Sequence, residues 1–261
     1  MAVFVSSRLH SYVCCLLFII IAQASAQPSF LNHFCLSAEG RFTANSTYET
    51  NLNTLLSNLT FNTEIDYGFY NRSYGENSDK VYAIGLCRGD VKAEECRSCI
   101  NNSTVLLTQL CPNQKEAIGW YDKCMLRYSN RSIFGLMETS PLFYTLELVN
   151  ATNVEQFNQV LDNLVENLTA IASASGDSRR KYAAGNATAT NLGSTIYGVA
   201  QCTPDLSQQD CNRCLVDAFS RIASSGKISG RVATPSCNIR YENFRFYDEP
   251  STTADAPAPS L

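Results

Sequence analysis

One cysteine pattern, C-x8-C-x2-C, occurs twice in this chain and limits its fold more than any other feature. The segment DKVYAIGLCRGDVKAEECRSCI, ending at Ile100, returns as STIYGVAQCTPDLSQQDCNRCL, ending at Leu215. Tyr82, Cys87, Cys96 and Cys99 map onto Tyr197, Cys202, Cys211 and Cys214 at a constant offset. A second block follows each, with Cys124-Met-Leu-Arg-Tyr128 answered by Cys237-Asn-Ile-Arg-Tyr241. Two blocks in the same order at similar separation mark a duplication. The spacing divides the chain into a signal peptide (1–26), a first domain (27–138), a second domain (139–248) and a disordered Pro/Ala/Ser/Thr tail (249–261).

Each repeat opens with helical periodicity. Leu52, Leu55, Leu56 and Leu59 fall at i, i+3, i+4 and i+7, and Phe157, Val160, Leu161, Leu164, Leu168 and Ile171 continue the same spacing in the second. Thr152 and Glu155 form a capping box there. A second helix begins near Ser207 and Asp210, with Cys211, Cys214, Leu215, Ala218, Phe219 and Ile222 on one face. Lys80 to Leu86, Thr195 to Gln201 and Gly230 to Tyr247 are rich in β-branched and aromatic residues and read as strands. The predicted fold class is α+β: two tandem domains, each with two helices packed on an antiparallel β-sheet and stapled by disulfides. Domains this small bury limited apolar surface, which is why they need covalent staples.

The first segment points to export. Arg8 supplies a positive n-region, Val13 to Ala22 an apolar run, and Ala24-Ser25-Ala26 a cleavage signal, so the mature chain begins at Gln27. That run is shorter than the ~20 apolar residues of a spanning helix, and no later segment reaches that length, so no membrane span is expected. Cys14 and Cys15 leave with the signal; the other cysteines, dense for the chain length, suit an oxidising compartment. N-x-[S/T] acceptors stand at Asn45, Asn58, Asn71, Asn101, Asn102, Asn130, Asn150, Asn167 and Asn186, which suggests a glycosylated surface. A net charge of −4 without a basic cluster argues against a nucleic-acid partner. The expected location is extracellular.

Three chemistries compete for the cysteines. Cys202, Cys211, Cys214 and Cys237 could bind zinc through four thiolates. Cys96-Arg-Ser-Cys99 or Cys211-Asn-Arg-Cys214 could be a redox pair. Structural disulfides are favoured, because an oxidising space consumes the thiols that the other two require. The second repeat lacks counterparts of both Cys35 and Cys111, with Ser224 at the place of the latter. Losing both members of a bridge leaves no orphan thiol, so Cys35 pairs with Cys111. Three pairings remain open for Cys87, Cys96, Cys99 and Cys124. With fewer bridges, the second domain is expected to be the less stable one.

The cysteine triplets, the CNIRYE block at Cys237 to Glu242 and the tandem layout resemble the plant cysteine-rich repeat secretory proteins, built from ginkbilobin-homologous (stress-antifungal) domains. The resemblance runs from about Phe30 to Tyr247. It implies two helices against an antiparallel sheet, and the bridges Cys35 to Cys111, Cys87 to Cys96, Cys99 to Cys124, Cys202 to Cys211 and Cys214 to Cys237. The family's founding seed protein binds mannose and acts against fungi. Its site uses an Asn after the first cysteine, an Arg in a Gly-x-Arg-Val segment and a Glu in a Tyr-Glu pair. In the first domain those positions hold Leu36, Ile118 and Ser129, so the resemblance implies no site there. In the second, Arg231 and Glu242 match by spacing and the Asn is missing. The resemblance thus implies carbohydrate binding through Arg231 and Glu242, against the alternative that the two simply pair as ions. The same tandem domains form the ectodomains of cysteine-rich receptor-like kinases.

Catalysis has little support. His33 is the one histidine after Gln27 and has no nucleophile motif beside it. Glu94 and Glu95 are adjacent and do not face each other on a helix. No phosphate loop or metal cluster appears, so no catalytic residue, cofactor or metal is expected. Trp120 and Tyr121 could stack on a sugar or anchor a partner, but as neighbouring aromatics they fit a buried core better. The sequence therefore predicts a secreted apoplastic binding protein of plant defence or stress signalling, recognising a mannose-type cell-wall or fungal glycan. The alternative is a protein-interaction module that pairs with receptor ectodomains of the same family or with a second copy of itself.

Overall fold

The computed structural model describes residues 29–61, 67–174, 180–189 and 194–248. The expected signal peptide (1–26) and the expected tail (249–261) lie outside the described residues. The repeat is realised as two five-stranded antiparallel sheets of identical topology. The first contains β1 (Phe30–Cys35), β2 (Phe69–Tyr74), β3 (Val81–Cys87), β4 (Ala117–Tyr121) and β5 (Cys124–Ser129), in the order β1-β4-β5-β3-β2. The second contains β6 (Phe143–Leu146), β7 (Tyr182–Ala189), β8 (Ser194–Cys202), β9 (Gly230–Ala233) and β10 (Cys237–Glu242), in the order β6-β9-β10-β8-β7.

Helices α1 (Thr47–Ser57) and α2 (Ala93–Leu110) cover one face of the first sheet; α3 (Val154–Ala174) and α4 (Gln208–Ser220) cover the matching face of the second. α1 starts where the Ser46 hydroxyl accepts from Glu49 N, satisfying one orphan donor of the first turn, and it buries Tyr48, Leu52, Leu55 and Leu56. α4 has the expected start, with Ser207 Oγ accepting from Asp210 N at 3.0 Å. α3 is capped one residue later than expected. Asn153, not Thr152, accepts from Gln156 N at 3.2 Å through its side chain and from Phe157 N at 2.9 Å through its carbonyl.

The long stretch from Gly230 is not one strand. Thr234-Pro235-Ser236 breaks it into the β9–β10 hairpin, because Pro235 cannot donate to a ladder and the Thr234 hydroxyl bonds the backbone of Cys237. After Glu242 the chain leaves the sheet.

Five disulfides fasten helix to sheet: Cys35–Cys111, Cys87–Cys96, Cys99–Cys124, Cys202–Cys211 and Cys214–Cys237, with Cα separations of 5.3 to 6.2 Å. These are the pairs that the family resemblance implied. They leave no thiolate set at Cys202, Cys211, Cys214 and Cys237 and no dithiol in either C-x-x-C. His33 lies close to the sulfurs of Cys35 and Cys111, but these are bonded to each other. In the second domain Leu146, on the strand equivalent to that of Cys35, packs on the core instead.

The strands alternate sharply. In the first sheet Tyr70, Val81, Ala83, Ala117, Leu126 and Tyr128 face the helices. Phe69, Ile84, Leu86, Ile118, Trp120 and Met125 face the other way, yet they are buried too. Phe143 and Ala233 of the second sheet, with Ile133 of the connection, close over them. β4 and β5 are buried at every residue for this reason. The two repeats thus share an apolar boundary core.

Candidate functional site

Polar groups ring that boundary core, and here the two residues singled out by spacing come together with others. Arg231 on β9 lies directly opposite Arg240 on β10. Like charges in a cross-strand pair repel. The compensation comes from the first domain: Asp122, in the turn between β4 and β5, reaches across the boundary. Its Oδ1 is 2.9 Å from Arg240 Nη1 and 3.4 Å from Arg231 Nη1, and its backbone oxygen accepts from Arg231 Nη2 at 3.1 Å. Arg88 approaches the other carboxylate oxygen at 3.8 Å and is itself held by Asp90. Glu242 bonds Arg240 Nε at 2.8 Å. The Phe246 ring lies under the guanidinium of Arg240, 4.1 Å from its centroid, and also faces Arg88.

Burial and the positive neighbours Arg240 and Arg88 push Arg231 down to about 10, although Asp122 pulls the other way. For Asp122 burial alone would raise the carboxyl. The attraction of Arg231, Arg240 and Arg88 overcomes it and holds Asp122 below the usual carboxylate range.

Beside this cluster opens a cavity of about 200 Å³. Leu31 and Phe143 give it an apolar side, Thr145 and Ser229 add hydroxyls, and Arg231, Arg240, Glu242 and Asp122 supply charge. Its chemistry is that of charge-assisted donors and acceptors next to an apolar wall.

Arg231 and Glu242 therefore line one cleft but do not pair with each other, which corrects the ion-pair alternative. Sequence reasoning missed Asp122, Arg240, Arg88 and Phe246. Arg240 alone left a signal, because in the repeated C-x-x-R-Y block it holds the position that Arg127 holds in the first domain.

The first domain fills the corresponding place differently. Ile118 is fully buried in the boundary core. Ser129 donates to Glu116 Oε2 at 2.7 Å, and the fully buried Glu116 also accepts from Arg127 and Arg131. Glu138, from the connection, joins both arginines. Burial raises its carboxyl, but Arg127 and Arg131 hold it below the ordinary range. Leu36 is half-buried and extends the sheet through its N–H to Glu116 O.

Trp120 is buried, its Nε1 donating to Thr234 O of the second domain at 3.3 Å and its ring 5.2 Å from Phe143. Tyr121 is buried against the helices. Neither is open to a ligand. Glu95 pairs with Lys123 at the surface.

A family model described as salt stress response/antifungal matches residues 34–131 and again 145–244. The chain belongs to this salt stress response/antifungal family. Among curated relatives, cysteine-rich receptor-like protein kinase 29 of Arabidopsis thaliana is 47% identical over 231 residues, covering 85% of this chain and 34% of the kinase. Kinase 28 of the same plant is 41% identical over 252 residues, covering 93% of this chain and 37% of that protein. The chain spans about a third of the length of these relatives. Among solved structures, the tandem DUF26 ectodomain of the Arabidopsis thaliana cysteine-rich receptor-like protein PDLP8 matches with a TM-score of 0.71 at 24% identity, covering 84% of this chain and all of that one. The α+β fold of this family member is that of a tandem DUF26 ectodomain. Among the described residues no helix is long and apolar enough to cross a membrane.

Proposed function

We propose that this chain works outside the cell as a non-catalytic recognition module of plant defence or stress signalling, with the boundary cleft as its ligand site. The chemical class that suits the cleft is a mannose-type carbohydrate from a plant or fungal wall. The observation that carries this reading is the donor and acceptor set around the cavity. Arg231 and Arg240 each present five N–H donors, of which Asp122 and Glu242 engage only some, and Thr145 and Ser229 add hydroxyls. Leu31 and Phe143 offer the apolar wall on which the C–H face of a pyranose packs. With the seed protein's Asn missing, the affinity is expected in the millimolar range, which corresponds to about −4 kcal/mol. The reading includes cleavage after Ala26, glycan attachment at the sequons and a division into domains at residue 138.

Amide shifts in a mannose titration test it. Perturbation confined to Arg231, Glu242 and their neighbours, weakened about tenfold in Glu242→Gln, supports the site; no change at millimolar sugar removes it. A second reading, recognition of a receptor ectodomain or of a second copy, is favoured by the 47% identity to a receptor-like kinase. Binding to immobilised family ectodomains with a blank glycan array selects that reading instead.

A further inference from the structure

Among the described residues, each sheet ends in two strands that pair on one side only: β1 and β2 in the first, β6 and β7 in the second. An edge strand presents unpaired N–H and C=O groups to any other strand, so native edges are blunted by charge, proline, a bulge or a cover. β1 has such a device, a register shift between Phe30 and Asn32. Among the described residues the other three edges carry few charges of their own. β7, YAAGNATA, runs eight residues without a charge or a proline. β6 continues as an edge beyond Leu146: Glu147 N donates to Ser229 O, Ile228 N to Val149 O and Ala151 N to Gly226 O. Along β6 and that extension Tyr144 and Val149 are exposed and Leu148 is 88% exposed, although Glu147 Oε1 accepts from Leu148 N at 3.1 Å and Lys227 Nζ donates to Leu148 O at 2.9 Å. β2 carries a single charge, Arg72, which turns back to the Asn58 carbonyl at the end of α1.

Each of these three edges holds an N-x-[S/T] acceptor whose asparagine is exposed. Asn71 lies within β2 opposite Ile84, Asn186 within β7 opposite Tyr197, and Asn150 on the β6 extension opposite Lys227. Asn45, Asn58 and Asn167 are exposed too but lie off the strands, and two further sequons are worse acceptors. Asn130 is half-buried with its Oδ1 enclosed, and Asn101 Oδ1 accepts from the buried Thr60.

We propose that N-glycans at Asn71, Asn150 and Asn186 are edge guards, which keep the open strands of the two sheets from pairing with other chains. An incoming strand must settle about 4.8 Å from the edge, closer than the width of a branched sugar tree rooted on that strand. The hydrated glycan thus supplies the steric and polar barrier that β7 lacks in sequence and widens the cover that Glu147 and Lys227 give Leu148 on the β6 extension. This inference rests on the extracellular reading, since the glycans are added only on export.

The test uses the full chain secreted from eukaryotic cells. Glycopeptide mapping should find all three sites occupied. The triple variant Asn71→Gln, Asn150→Gln, Asn186→Gln should stay folded by circular dichroism yet self-associate in light scattering, at concentrations where the wild type and an Asn45→Gln, Asn167→Gln control remain monomeric. Should the triple variant fail to fold, endoglycosidase trimming of the folded wild type provides the same comparison. Vacant sites on protein recovered from the medium, or a trimmed protein that stays monomeric, overturn the edge-guard role. Wild-type protein that never reaches the medium sinks the extracellular reading itself.

Discussion

Asp122 shows how much a single carboxylate can hold. It faces Arg231 and Arg240, which oppose each other across a strand pair, and it is the anion of the first domain nearest to both. Removing one partner of a buried charged cluster is worse than never having built it, because the remaining charges stay desolvated. Asp122→Asn keeps the shape and removes the charge. It is expected to lower the unfolding free energy by about 2 to 3 kcal/mol, below the roughly 3 to 5 kcal/mol of a fully buried pair because Asp122 is partly exposed. Glu242→Gln should cost less, about 1 to 2 kcal/mol, because Arg240 keeps Asp122 as its counter-charge and the amide oxygen can still accept from it. Urea titration of the two variants checks the order, and equal losses would refute it. Spacing in the sequence could mark Arg231 and Glu242, and repetition could mark Arg240. Asp122 was not legible, since its role arises only when one repeat packs on the other, more than a hundred residues away in sequence.

Among the elements, the bridges were the most readable. Paired absence tied Cys35 to Cys111, while the other four cysteines of the first repeat needed the family resemblance, because four sulfurs allow three pairings. Periodicity located α1, α3 and α4. It could not show that the run from Gly230 folds back at Thr234-Pro235-Ser236, because both arms of a hairpin share the same composition. The α3 cap shifted by one residue because Asn153 can supply the same side-chain acceptor as Thr152. The Cys35–Cys111 bridge closes the longest loop, 76 residues apart. In the chain-entropy account a loop of that size contributes about 4 kcal/mol. The double variant Cys35→Ser, Cys111→Ser should lose most of that, as measured by denaturant midpoint with the other bridges intact. A loss well below about 2 kcal/mol would mean that β1 is held chiefly by its ladder to β4. The second repeat manages without this bridge by packing Leu146 on its core.

At the scale of the molecule, the shared boundary is expected to couple the two repeats into one cooperative unit. Trp120, Ile118, Leu86 and Met125 would face water if the domains parted, and Trp120 Nε1, Gln201 Nε2 and Arg88 Nη2 would lose bonds that cross the boundary. Calorimetry near neutral pH should therefore show a single transition for the intact chain, despite the different bridge counts of its halves. Acid should weaken that coupling in a definite direction. Asp122 and Glu138 both titrate below the ordinary carboxylate range in the folded protein, held down by arginines against the effect of burial. A depressed folded value means that the unfolded chain binds the proton first. The stabilisation is then complete above the unfolded carboxylate value of about 4 and is lost as pH falls through the folded ones. The melting temperature should fall below about pH 4, the transition should broaden or split as the domains uncouple, and Asp122→Asn should flatten part of that fall. If the variant and the wild type lose the same stability between neutral pH and acid, the boundary carboxylate does not couple the repeats, and their cooperativity must come from the apolar core alone.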